Sequence, residues 1–167
     1  DTNRIIDCVR NLQRAGNTVI VVEHDPQFIS SADEVIEIGP GAGSEGGRVE
    51  FQGSVAQLLN AKTLTGEKLR ENKARAAENA ITSRRPPEAW LNLLNVNCHN
   101  IKGLNVALPL GVFCAVTGVS GSGKSSLIAD TLYPAMCQHL KLPVPSETQG
   151  TIDAVEGADN INHVVLL

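Results

Sequence analysis

The chain has 167 residues, 42% hydrophobic and 19% charged, with a net charge of −4. Such a composition describes a globular polypeptide, excludes a disordered tail, and offers no overall attraction to nucleic acid or an anionic membrane. No apolar run approaches the about 20 residues of a bilayer-crossing helix and no charged-then-apolar leader opens the chain, so no membrane role and a cytoplasmic location are expected.

Ile5, Val9 and Leu12 recur at helical spacing, with Asp7, Arg10 and Arg14 on the other face, and Gly16 stands where a left-handed cap ends a helix. The β-branched run from Thr18 to Val22 reads as a parallel strand buried on both faces. Glu23-His24-Asp25 is a polar turn, and Asp25-Pro26 opens a short helix to about Ser31. Val35 to Ile38 and Arg48 to Gln52 read as strands. The glycine-rich stretch Gly39 to Gly47 between them lacks a Lys-Ser ending and reads as a plain inter-strand loop. Ser54 and Gln57 form a capping box for a helix carrying Val55, Leu58 and Leu59.

From Lys62 to Pro87 the character changes to Lys, Arg, Glu, Ala and Asn, which predicts an exposed helix and linker between two folding units. Its basic residues, Lys62, Lys68, Arg70, Lys73, Arg75, Arg84 and Arg85, are diluted by Glu67, Glu71 and Glu78, as on a solvated face. A second unit starts at Trp90, an expected packing anchor. Strands are predicted at Leu91 to Val96, Asn105 to Leu108 and Val112 to Thr117, then a glycine loop and a helix from Lys124 to about Tyr133, where Pro134 interrupts it. Both ends read as cut, the last at the apolar run Val164 to Leu167. The cysteines Cys8, Cys98, Cys114 and Cys137 lie far apart, without the close pairs of a zinc knuckle or redox motif, and read as buried free thiols.

Chemistry concentrates in Gly118-Val119-Ser120-Gly121-Ser122-Gly123-Lys124-Ser125, which fits the phosphate-loop pattern without a mismatch and stands between a predicted strand and helix. Glycines let the backbone curl its N–H groups around a phosphate, and the helix starting at Lys124 aims its positive dipole end at the anion. The Lys124 ammonium can reach β- and γ-phosphate oxygens, the Ser125 hydroxyl can join the shell of an ATP-bound Mg²⁺, and Ser126 is a further donor to the α-phosphate. His24, at the carboxyl end of a predicted parallel strand, is placed to donate to a γ-phosphate or the attacking water, although by itself it reads more often as an ordinary capping histidine. His99, His139 and His163 have no comparable setting.

Asn17 to Asp25 resembles the switch-histidine segment of ABC ATPases, and Ile38-Gly39-Pro40-Gly41-Ala42-Gly43 resembles the UvrA family in particular. Pro109 to Phe113, continuing through Thr117 to Ile128 into Asp130-Thr131-Leu132-Tyr133-Pro134, is similar to the start of that family's second nucleotide-binding domain. The resemblance implies an α/β fold of the P-loop NTPase, ABC ATPase type, incomplete, with a partial parallel sheet, flanking helices and antiparallel strands. It implies residues 1–61 as the end of a first ATPase domain, 62–87 as a connector and 88–167 as the start of a second.

On this account His24 and Lys124 serve different ATP sites. The Walker B carboxylates, Q-loop glutamine and signature segment that each site needs are not found in the sequence. Neither is the family's zinc module, so no zinc site is expected; where many ABC proteins stack an aromatic on adenine, this chain has Cys98-His99-Asn100. For the intact protein the resemblance implies ATP and Mg²⁺ as cofactors, duplex DNA, UvrB and a second UvrA subunit as partners, and a role in nucleotide excision repair. The alternatives are a UvrA-like paralogue in drug resistance and a non-catalytic interaction module. Because the loop strand neighbours the switch-histidine strand in an ABC core, Thr18 to Val22 and Val112 to Thr117 are expected either to pair or to leave open sheet edges.

Overall fold

A computed structural model describes residues 2–73, 85–145 and 150–167. Helix α1 (Thr2–Arg14) is followed by β1 (Val19–Val22) and α2 (Pro26–Ser31). Strands β2 (Glu34–Gly39) and β3 (Arg48–Ser54) precede α3 (Val55–Leu58) and α4 (Leu64–Lys73). Three strands then run in succession, β4 (Ala89–Cys98), β5 (Ile101–Leu110) and β6 (Phe113–Thr117). After the glycine loop come α5 (Lys124–Leu127), a π-helical turn (Ile128–Leu132), α6 (Tyr133–His139) and the short β7 (Ala154–Glu156).

The local signals act where they were read. The Asp25 carboxylate accepts the Gln27 N–H at 2.7 Å and starts α2. In α3 the Gln57 N–H donates to Ser54 Oγ at 3.3 Å while Gln57 Oε1 accepts the Ser54 N–H at 2.8 Å, so two donors at the helix start are satisfied reciprocally.

A mixed sheet has the order β1-β6-β2-β3, in which β6 is parallel to both β1 and β2, and β3 is antiparallel to β2. The strand that leads into the glycine loop therefore lies between two strands contributed by the first 40 residues or so of the chain, and of the two alternatives for Thr18 to Val22 and Val112 to Thr117 it is the pairing that is present. A second sheet, β5-β4-β7, is antiparallel.

Alternation along β6 sorts the core into two layers. Phe113 and Ala115 face a cluster with Ile6 and Val9 of α1, Phe28 and Ile29 of α2, Leu58 of α3 and Leu69 of α4. Cys114 and Val116 face the opposite cluster, made with Leu91 and Leu93 of β4, Leu108 of β5, and Leu127 and Met136 of the long helical segment. The order is thus helices, mixed sheet, then antiparallel sheet and helix. Burial of each large side chain contributes roughly 1.5–3 kcal/mol.

Several expectations change. β1 is only half-buried, because it is an edge strand; β6, with every residue buried, is the central one. The buried face of α1 carries Ile6, Val9, Arg10 and Gln13 while Ile5 and Leu12 are exposed, so Arg10 lies inward, where Asp33 receives it. Helix α4 is docked rather than exposed: Leu69 is buried, and Thr65 donates through both N–H and hydroxyl to Glu37 Oε1. Of its basic residues, Arg70 binds the Leu59 and Ala61 carbonyls, while Arg75 and Arg84 lie outside the described residues.

β5 begins at Ile101, earlier than the pattern suggested, because its opposite number Cys98 continues the ladder. Trp90 is substantially exposed within β4, Cys8 is exposed while the other three thiols are buried, and Val165 to Leu167 carry no strand.

Pro134 does not end its helix. The ladder widens just before it, with the Tyr133 N–H reaching the Ile128 carbonyl, and this relieves the proline ring's clash with the carbonyl four residues back. That carbonyl, of Asp130, accepts the Gly150 N–H at 3.3 Å instead.

Candidate phosphate-binding site

The glycine loop occupies the carboxyl edge of the mixed sheet, between β6 and the helix that starts at Lys124. Ligands in α/β sheets bind beyond this edge, since the first N–H groups of a helix have no intrahelical acceptor and converge there. Gly118 makes the exit from β6 possible. Its φ of +134° is unfavourable for other residues, and a Cβ there would run into the Ile38 carbonyl oxygen on the neighbouring strand.

Within the loop Lys124 folds back over the backbone. Its Nζ donates to the Gly118 carbonyl at 2.9 Å and the Val119 carbonyl at 2.8 Å. Partial burial lowers its pKa from the ordinary lysine value of 10.5. Ser120, Gly121 and Ser125 are exposed, Ser126 is half-buried, and its carbonyl accepts the Thr131 hydroxyl at 2.6 Å. Ser122 is fully buried, and its hydroxyl has no hydrogen-bond partner among the described residues.

The stretch from Gly39 to Gly47, read from the sequence as a plain inter-strand loop, is docked on the glycine loop. The Gly43 N–H donates to the Gly121 carbonyl at 3.1 Å and the Gly47 N–H to the Ser122 carbonyl at 2.8 Å. The Asn100 amide adds a bond to the Ser122 carbonyl at 3.0 Å and a longer one to Gly121 at 3.4 Å. A trans peptide points its C=O and N–H in opposite directions, so engaging the Ser122 carbonyl with Gly47 and Asn100 turns the Gly123 N–H away from those two donors.

The approach is close enough that Gly47, at φ +77°, has no room for a Cβ beside the Asn100 carbonyl. A usable signal was the density of the stretch, five glycines in nine residues, which is what close backbone approach requires. Asn100 carried none, because its partners are more than 20 residues away.

His24 reaches the same edge. Val22 pairs with Val116 and the Glu23 N–H donates to the Val116 carbonyl at 3.1 Å, so His24 and Gly118, each two residues beyond the register pair, leave the sheet side by side. Within this chain the histidine and the loop therefore share one sheet. The His24 side chain is exposed, and its Nδ1 lies 3.7 Å from Glu23 Oε2.

The arrangement defines a class: an α/β chain with a mixed sheet and an antiparallel sheet, whose central parallel strand runs through a glycine loop into a helix that begins with a lysine and a serine. Its sequence is homologous to the UvrA family over nearly its whole length. It is 41% identical over 166 residues to UvrABC system protein A of Aquifex aeolicus, covering 99% of this chain and 18% of that protein. The corresponding protein of Helicobacter pylori is 41% identical over 167 residues, with 100% and 18% covered, and that of Thermus thermophilus 39% over 166 residues, with 99% and 17%.

The chain thus spans under a fifth of these relatives. No family model matches it. Among solved structures, UvrA2 from Deinococcus radiodurans is 34% identical, covering 93% of this chain and 18% of that one, with a TM-score of 0.40. Among the described residues no helix is long and apolar enough to cross a membrane.

Proposed function

We propose that this chain grips the phosphates of ATP as part of a UvrA-type ATPase of nucleotide excision repair. The observation that carries the reading is the loop itself: its carbonyls at Gly121 and Ser122 are engaged by three separate donors while Lys124 lies folded against it. A bound triphosphate would draw the Lys124 ammonium from the two carbonyls to phosphate oxygens. The orphan Ser122 hydroxyl and the free N–H groups of the first helical turn fit an anion at this place. Ser125, exposed at the helix start, suits a place in the Mg²⁺ shell.

In the chain by itself the expected activity is weak Mg-ATP binding with negligible turnover, since the sequence supplies no recognised carboxylate pair to orient water. In a full-length protein the same grip would couple ATP to recognition of damaged duplex DNA and delivery of UvrB by a UvrA dimer. His24 reaches the same sheet edge as the loop, a place that suits a role toward a γ-phosphate.

The test is titration with a fluorescent ATP analogue, comparing the chain with Lys124→Ala. Equal binding by both would remove the phosphate-loop reading. Thermal unfolding with and without Mg-ATP gives a second readout, since a ligand at a hundred times its dissociation constant adds about 2.7 kcal/mol; no stabilisation at saturating ATP would favour an interaction module. For the full-length protein, loading of UvrB onto lesion-containing DNA separates repair from a resistance paralogue.

A further inference from the structure

We propose that Cys98, His99 and Asp130 form a site for one divalent transition-metal cation of the zinc class, on the flank of the helical segment that follows the glycine loop. One thiol sulfur, one imidazole nitrogen and one carboxylate oxygen lie within 4.8 Å of one another, and His99 Nε2 is 3.8 Å from Asp130 Oδ2. The cluster uses none of the loop's phosphate-binding residues, so it stands or falls separately from the ATP reading.

The convergence is a product of the tertiary fold. Adjacent residues on a strand point to opposite faces, which would separate Cys98 from His99. β4 ends at Cys98, however, and His99 turns the corner into β5 with a φ of +49°, so the alternation is broken at that step and both side chains meet the same neighbour. Asp130 comes from the π-helical turn. Ile101 at the start of β5 and Ile128 of the π-helical turn are members of one buried cluster, so the ligands sit on packed elements.

The donor set is chemically selective. Thiolate and imidazole favour Zn²⁺ and its neighbours over Mg²⁺ or Ca²⁺, which prefer oxygen alone. Three protein donors at about 2.0–2.3 Å from zinc leave one tetrahedral position for water, and require the present separations to close by about 1 Å. Cys98 is 3% exposed as a whole residue, whereas the His99 and Asp130 side chains are 49% and 38% exposed, so a cation enters past the imidazole and carboxylate and meets the sulfur at the inner end. Binding displaces the thiol proton to solvent and leaves the metal's oxidation state unchanged.

Titration with Co²⁺ tests the site, in a Cys8→Ala background that removes the exposed thiol. The expected result is a near-ultraviolet thiolate-to-cobalt band with visible tetrahedral bands, discharged by Zn²⁺, absent in Cys98→Ser and lost or strongly weakened in His99→Ala and Asp130→Asn. Because Cys98 is buried, the exposed His99→Ala variant, checked for unchanged circular dichroism, keeps the test sound should Cys98→Ser unfold. Absence of the thiolate band in the Cys8→Ala chain, or an undiminished band in folded His99→Ala, overturns the proposal.

Discussion

The Arg10 guanidinium reaches across from α1 to the Asp33 carboxylate, with Nη1 at 2.9 and 3.0 Å from its two oxygens, and both residues are buried. The same carboxylate accepts the Phe113 N–H at 2.9 Å, and Asp33 donates its own N–H to the Phe113 carbonyl at 2.8 Å. Arg10 also binds the Ser31 carbonyl and lies 5.4 Å over the Phe113 ring. One ion pair thus joins the first helix, the start of β2 and the start of β6.

Removing one partner leaves the other buried and unpaired, which costs about 3–5 kcal/mol. Asp33→Ala is therefore expected to lower stability by that amount in urea unfolding, with partial recovery when Arg10→Met is added. A loss below about 1 kcal/mol would mean that the pair is solvated in solution.

The loop lysine predicts a pH dependence. Burial lowers the Lys124 pKa from 10.5, so as pH rises in the alkaline range the folded chain gives up this proton before the unfolded chain does. The unfolded state then binds more protons, and this group's contribution to stability increases with pH through that window. Phosphate binding has the opposite dependence, because the anion needs the ammonium form. Affinity for the fluorescent ATP analogue should fall between neutral pH and about pH 10, and the fall should be absent in Lys124→Ala.

Docking of the Gly39 to Gly47 stretch can be separated from simple backbone strain. Gly47 and Gly16 both have positive φ, but a Cβ at Gly16 meets nothing within 4 Å, whereas one at Gly47 strikes the Asn100 backbone. Gly16→Ala should cost about 1 kcal/mol, and Gly47→Ala more, by roughly 1–3 kcal/mol, in thermal or urea unfolding. Only Gly47→Ala should also weaken analogue binding. Equal effects on stability and binding would show that the two loops are not mechanically joined.

Thiol reactivity should be uneven. Burial pushes the Cys114 thiol well above its ordinary range, reinforced by the nearby Glu34 and Asp33 carboxylates, and the thiolate is the reactive form. Native chain treated with iodoacetamide should be alkylated at exposed Cys8 and spared at Cys114, as read by peptide mass spectrometry. Modification of Cys114 at the rate of Cys8 would indicate that the central strand opens readily.

Short-range features were legible in the residues. The caps at Asp25 and Ser54 each involve partners within three positions, and the order strand, glycine loop, helix from Phe113 to Leu127 is written in one continuous segment. The inward turn of Arg10 was not legible, because helical spacing reports which side chains share a face, whereas a buried charge depends on a partner 23 residues away. Pro134 misled for a related reason: its remedy is a widened turn and a bond from Gly150, which local rules do not contain.

By itself the sequence determined the glycine loop between a strand and a helix, the capping residues and the homology to UvrA, since each rests on residues within a few positions or on direct likeness along the chain. Only the tertiary structure decided which strands flank β6, that Gly43, Gly47 and Asn100 hold the loop's carbonyls, that His24 shares its edge, and that Cys98 and His99 meet Asp130. Those contacts depend on long-range burial and strand pairing, in which a residue's role is set by whatever the rest of the chain brings beside it.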